Sequence, residues 1–327
     1  MTRVRIDILL AADAPAAAIL HRGPYGHTQI LHWNLTTDEI TAGQWITAKV
    51  HMRCCDLSPD GHHLVGLFSD NSAKRLEEAA SKFELEDHFD AQAWTAVSVV
   101  PYFTAVALWF TGYSYRLTYG YGQGSGFIGG GVWRGRNRLE VNHPYAPKAA
   151  IQPPEDLEVE SVFYFKRHEL NWVWHERLRR SGWKQRNRNL KPEDSVWSMD
   201  RWEKTFAEGR LIYESRTTED SGPERWFLFD LAGNLVREGK VPQFGIQFME
   251  IDVRGRVIYA DGSAVYAWER FPHGEPKIVA DLSDNRFEPV PAPPGYRAKF
   301  EPRALSDSQV DPNDVTPSLW AEMDEAF

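Results

Sequence analysis

Gly209-Arg210-Leu211-Ile212-Tyr213 returns 46 residues later (255 minus 209) as Gly255-Arg256-Val257-Ile258-Tyr259. A glycine turn that feeds an apolar strand and then recurs at this distance points to radially repeated antiparallel sheets, because one four-stranded propeller blade takes roughly 40 to 50 residues. Strands read around the first copy at 202–206, 210–214, 226–229 and 235–238, and around the second at 248–253, 257–260, 264–268 and 277–280. These make a fifth and a sixth unit. The predicted fold is an all-β propeller of five or six four-stranded blades over residues 1–300, with one helical insertion near 72–88 and an acidic tail over 301–327.

Towards the N-terminus the rhythm continues. Residues 4–10, 17–21, 29–35 and 39–46 read as one complete blade. A second unit opens at 51–57, turns at Ser58-Pro59-Asp60-Gly61 and resumes at 62–68. Proline presets the first turn dihedral and glycine supplies a positive one, which makes this a hairpin connection. A third unit starts at 94–100, turns at Pro101-Tyr102 and runs through 103–110, with outer strands in 126–133 and 138–142. A less regular fourth takes 162–165, 172–178 and 183–186. Closure predicts strand pairing between the two terminal regions, since a ring must leave no long exposed edge. Between 72 and 88, Leu76, Ala79, Ala80 and Phe83 follow helical spacing, so an amphipathic helix is expected either on a blade edge or as a partner-binding lid.

The chain has 327 residues and a formal charge of −9, which argues against a general nucleic-acid binder. Its two cysteines, Cys54 and Cys55, are adjacent and would point to opposite faces of a strand, so neither a disulfide scaffold nor a zinc site is expected. Asp7 and Asp13 interrupt the apolar start, against an export signal. With no apolar run of membrane-spanning length, the expected location is cytoplasmic.

Asp56-Leu57-Ser58-Pro59-Asp60-Gly61 before an apolar strand resembles the inner hairpin of bacterial WD40-like and TolB-like β-propellers. Trp94-Thr95-Ala96-Val97-Ser98, the run from Pro101 to Trp109 and Gly129-Gly130-Gly131 resemble a segment of bacterial propeller-like proteins. The likeness covers about two units and lacks the regular Gly-His and Trp-Asp pairs of true WD40 repeats. It implies a binding platform and carries over no catalytic residue.

Chemistry is sparse. Gly124-Ser125-Gly126-Phe127-Ile128-Gly129 matches a dinucleotide-binding pattern literally, but continues as loop or strand where a helix is required, so no cofactor is expected. The alternation Gly120, Gly122, Gly124, Gly126 reads instead as a bare strand face that another backbone or a ligand can approach. His21, His27 and His32, the pair His62 and His63, and His168 with His175 give no metal-ligand spacing, and no metal is expected. Among the 13 tryptophans, Trp33, Trp109, Trp133, Trp226 and Trp268 fall in strands, where core packing competes with a sugar-stacking role.

The strongest local anomaly is a basic run, Arg177, Arg179, Arg180, Lys184, Arg186, Arg188 and Lys191, interleaved with Trp172, Trp174 and Trp183. It reads either as a solvated face or as a surface for an acidic partner. In the tail, Leu319, Trp320, Met323 and Phe327 share one face of a short helix, as a docked element or a tethered ligand. The functional expectation is a non-catalytic interaction platform whose partner is another protein, an acidic one for the basic run. The alternatives are a hydrolase or lyase with a pocket at the central channel, and a nucleic-acid accessory protein.

Overall fold

The computed structural model describes residues 4–23, 25–85, 87–111, 129–143, 149–162, 172–186, 199–216, 225–240 and 248–296. Strands dominate, and among the described residues they form five sheets. The first is a simple meander of β1 (Arg5–Leu10), β2 (Ala16–Arg22), β3 (Thr28–Asn34) and β4 (Ile40–Ile46). Its last turn is built by Asn34, whose Oδ1 accepts from the Thr36 and Thr37 amides, and by Asp38 at a left-handed φ of 60°. All four strands match the sequence reading to within two residues.

The second sheet holds β5 (Lys49–Val50), β6 (Asp56–Leu57), β7 (His63–Ser69), β8 (Ala93–Val99) and β9 (Ala105–Phe110), with helix α1 (Ala73–Phe83) between β7 and β8. The sequence places a unit boundary before residue 94; the pairing removes it. β7 and β8 are joined over their full length, from His63 opposite Val99 to Ser69 opposite Ala93, so α1 interrupts a single hairpin. Leu76 and Ala79 of α1 pack with Ala91 as a small satellite of the core. The third sheet, β10 (Gly131–Trp133), β11 (Arg138–Asn142) and β12 (Glu158–Val162), ends in a parallel pair. Gly130, at φ +77°, allows the entry to β10 to lie against Cys54, whose carbonyl oxygen would be 2.1 Å from an added Cβ.

Residues 172–178 are read from sequence as a strand, and here the structure differs. They form helix α2 (Trp172–Arg180). Trp172, Val173, Trp174, His175, Arg177 and Leu178 are all buried, and the polar stripe of the helix is only Glu176, Arg179 and Arg180, too short beside a run of tryptophans to set its period apart from a strand's. The fourth sheet follows as β13 (Lys184–Gln185), β14 (Met199–Phe206), β15 (Gly209–Arg216), β16 (Arg225–Asp230) and β17 (Leu235–Lys240). The fifth is β18 (Met249–Ile251), β19 (Val257–Asp261), β20 (Ala264–Trp268) and β21 (Lys277–Asp281).

The echoed pentapeptides occupy equivalent places: β15 follows β14 as β19 follows β18, each paired on both sides. Their glycines serve different ends. Gly255 turns at φ +78°, whereas Gly209 lies within its strand, 2.1 Å from the Phe229 carbonyl oxygen if a Cβ were added.

The apolar clusters link each sheet to others. Leu9, Leu20 and Ile30 of the first sheet pack with Leu64, Phe68 and Trp94 of the second. Val65, Val97 and Trp109 of the second meet Trp133 and Leu139 of the third. Val132 of the third packs on Trp172 and Val173 of α2. Trp174 and Leu178 of α2 join Trp202 and Trp226 of the fourth sheet and Val257 and Trp268 of the fifth. Ile258 and Val265 of the fifth then pack on Ile6, Ile19 and Trp33 of the first.

Among the described residues the terminal sheets meet without sharing a strand, contrary to the expected pairing. Arg256 closes the junction: its Nη1 and Nη2 donate to the Asp38 carboxylate at 2.7 and 2.9 Å, its Nε to Asp252 at 2.7 Å. A strap over residues 282–296 adds a second tie. Asn285 donates to Gln29, Phe287 packs edge-on against His27 and Trp45, and the Tyr296 hydroxyl donates to the Val99 carbonyl at 2.8 Å. No helix among the described residues is long and apolar enough to cross a membrane.

Candidate functional site

Helix α2 brings part of the basic run to the place where the sheets converge. Arg177 is 8% exposed, and its guanidinium donates to the carbonyls of Cys55 (3.0 Å), Met52 (3.4 Å) and Ile8 (3.4 Å). It also lies 3.9 Å from the buried Asp7 carboxylate. One turn on, Arg180 holds Asp56 through two hydrogen bonds, at 2.8 and 2.5 Å, and donates to the Trp133 carbonyl at 2.9 Å. Asp56 in turn accepts from the Trp133 amide at 2.9 Å. Two arginines of one helix thus reach the first, second and third sheets, and cations in the last turn suit the helix dipole.

Beside α2 lies a cavity of about 20 Å³, lined among others by Ile8, Leu178, Arg180, Trp226 and Glu250. That is room for about one water molecule. Glu250 is not idle there. It accepts from Trp183 Nε1 at 2.6 Å and from Lys204 Nζ at 2.7 Å.

The basic run is therefore divided. Arg177 and Arg180 are turned inward onto carbonyls and Asp56. Arg179 faces outward, paired with Glu176 and lying 5.5 Å from the Trp202 ring centre. Lys184 is exposed on β13, and Arg186, its side chain 57% exposed, sits 3.5 Å from Glu203. Arg188, Lys191 and the tail residues Leu319, Trp320, Met323 and Phe327 lie outside the described residues, as do Gly120, Gly122, Gly124, Gly126 and His168. The residues that sequence reasoning missed are the carboxylates Asp7, Asp56 and Glu250. Asp56 begins the hairpin motif that was read for its turn, and an acid inside an apolar strand was the available signal.

Trp33, Trp109, Trp133, Trp226 and Trp268 are all buried in the sheet interfaces. Burial also governs the titratable groups. It pushes the Cys54 thiol up to about 11, although the residue as a whole is half-buried, and the Cys55 thiol higher still. His21 and His63 are lowered to about 4 and His51 to about 3, first by burial. Among the described residues no three His, Cys, Asp or Glu side chains are grouped to hold a metal ion. Because only the thiolate reacts, at pH of about 8 a disulfide reagent should leave both cysteines of the folded chain untouched over minutes and label both after denaturation. Fast native labelling would show an accessible thiolate.

Comparison of the chain with protein-family models, with curated proteins and with solved structures gives no match.

Proposed function

We propose that the five sheets are blades of a closed propeller and that the protein is a non-catalytic platform for another protein. The ring reading is supported by the succession of apolar clusters, which runs from the first sheet to the fifth and back. The platform reading rests on one observation above all: α2 packs between the sheets, with Arg177 and Arg180 hydrogen-bonded to the segments around it and a cavity of about 20 Å³ beside it. A substrate-sized pocket needs several hundred Å³, roughly 300 or more. Recognition then falls to the rim, where Arg179, Lys184 and Arg186 stand outward beside Trp202. That combination suits an acidic protein segment, by charge complementarity at a solvated surface.

The test is binding of a fluorescent polyglutamate peptide, followed by anisotropy across a salt series. The variant Arg179→Gln/Lys184→Gln/Arg186→Gln should bind about tenfold more weakly, because rim charges set encounter and salt dependence. Its melting temperature should hardly change, since exposed pairs contribute about 0–1 kcal/mol each. Equal affinity in variant and wild type would remove this surface from the reading.

A further inference from the structure

Arg5 on β1 lies directly opposite Arg22 on β2 in the antiparallel register, with both side chains on the face turned to the second sheet. Like charges in directly opposed positions destabilise a sheet, so a chain with net charge −9 has an unusual reason to keep such a pair. Lys49 on β5 and Arg53, in the 3-10 turn Met52–Cys54, converge on the same corner. No hydrogen bond or ion pair joins Arg5, Arg22 or Lys49 to any described residue. The Nε atoms of Arg5 and Arg22 are fully enclosed and lack acceptors. Arg53 reaches across to the fourth sheet, where it donates to the Tyr213 hydroxyl at 2.9 Å.

We propose that this corner between the first and second sheets is a binding site for a small phosphate-bearing anion, held by Arg5, Arg22, Lys49 and Arg53. The cluster sits where the apolar packing of the two sheets stops, beyond Leu9 and Leu20, so water is partly excluded and charge acts at short range. Asp7, on the same face of β1 two residues from Arg5, is the carboxylate that acts on Arg5, against the charges of Arg53 and Arg22. Its Oδ1 accepts from the Ile8 amide, and its Oδ2 has no partner. Burial raises the Asp7 carboxyl, against the pull of Arg177 and Arg5, which weakens its hold as a counterion.

The surrounding groups register the excess of positive charge. Arg5 is lowered to about 10, by burial first and then by Arg53 and Arg22 against Asp7. Lys49 is lowered by burial, Arg22 and Arg5, and His51, which bonds to Ser69 at 2.8 Å, is kept neutral by burial and by the same three cations. A carboxylate ligand would bring a single charge in one plane. A phosphoryl group brings up to two charges on tetrahedral oxygens, which guanidinium groups from several directions can share.

Titration of the full chain with sodium pyrophosphate and, separately, with orthophosphate is the direct test. Calorimetry and thermal melting would be compared with sodium chloride at equal ionic strength. Saturable one-to-one binding and a rise in melting temperature beyond the chloride control are expected, since a ligand that binds only the folded state stabilises it. Arg5→Gln/Arg22→Gln should raise the pyrophosphate Kd at least tenfold, while Arg179→Gln/Lys184→Gln on the outer rim should leave it within twofold. Should the first pair fail to fold, Lys49→Gln, at an exposed position, should still raise Kd several-fold. A rise no larger than that from chloride, a response that does not saturate, or an equal response in the Arg5 and Arg22 variant would overturn the proposal. The rim variant also separates this site from the platform reading, because polyglutamate binding should fail there while pyrophosphate binding persists.

Discussion

Asp56→Ala should lower the unfolding free energy by about 3–5 kcal/mol, the usual cost of leaving one member of a buried ion pair without its partner. The side chain of Asp56 is 1% exposed, and it serves Arg180 and the Trp133 amide together. Removing it strands a half-enclosed guanidinium and a buried N–H, and α2 loses its tie to β6 while the bond from Arg180 to the Trp133 carbonyl of β10 is left without its carboxylate support. Urea unfolding followed by tryptophan fluorescence would measure this, with the midpoint expected to fall and the slope to hold. Asp56→Leu combined with Arg180→Met should recover part of the loss, because a buried pair replaced by apolar groups is often close to neutral. Recovery should be incomplete, as the Trp133 amide would still lack an acceptor, at about 1–3 kcal/mol. A loss below about 1 kcal/mol for Asp56→Ala would place the pair in the class of surface salt bridges.

Much of the sheet architecture was legible because its signals are local. In the first sheet, apolar runs bounded by Asp13-Ala14-Pro15 and Thr36-Thr37-Asp38 define strands without reference to any other part of the chain. The echo at 209 and 255 fixed the phase of the last two sheets. Legibility failed where pairing partners are distant. The 23 residues from 70 to 92 (92 minus 70, plus one) separate β7 from β8, and an insertion of that length that carries an 11-residue helix resembles a boundary between units. Only the cross-strand register from His63 to Ser69 shows that the hairpin continues beneath it.

Helix α2 was illegible for a different reason. Trp172, Val173 and Trp174 are in contact with different sheets, so α2 is apolar on more than one side and only the short stripe of Glu176, Arg179 and Arg180 carries its helical period. Its arginines looked like a surface because charge in sequence is normally solvated, and nothing local reveals that Met52, Cys55 and Ile8 each present a carbonyl to Arg177. The same holds for Arg5 and Arg22. They are ordinary residues in sequence, and their repulsion exists only once β1 and β2 pair.

Arg256→Ala should cost a similar 3–5 kcal/mol, through a different junction. Arg256, its side chain 3% exposed, is the bridge between the first and last sheets: it joins Asp252, whose side chain is fully buried, to Asp38 and to the Leu35 carbonyl, with Trp33 beneath it. Without it, the Asp252 carboxylate is left inside the protein with no guanidinium, and the terminal sheets keep their apolar contacts, the strap and the longer reach of Arg254 to the Leu35 carbonyl (3.2 Å) and Asp38 (3.4 Å). Arg256→Lys should recover little, because a single ammonium cannot serve two carboxylates and a carbonyl in the planar geometry that the guanidinium provides. The loss should also depend on pH. Burial alone would raise the Asp38 carboxyl, but hydrogen bonds from Arg256 and its charge, joined by a bond from Trp33 and the charge of Arg254, hold the group below its ordinary value of 3.8. A carboxyl lowered in the folded state contributes stability that is present above its unfolded pKa and is lost as pH falls through the folded one. The wild type should therefore lose more stability than Arg256→Ala between about pH 5 and pH 3, and the gap between them should narrow. If the gap stays constant across that range, the Arg256 contact with Asp38 contributes nothing to the junction, which is then held by Arg254 and by Ile6, Trp33, Ile258 and their apolar neighbours.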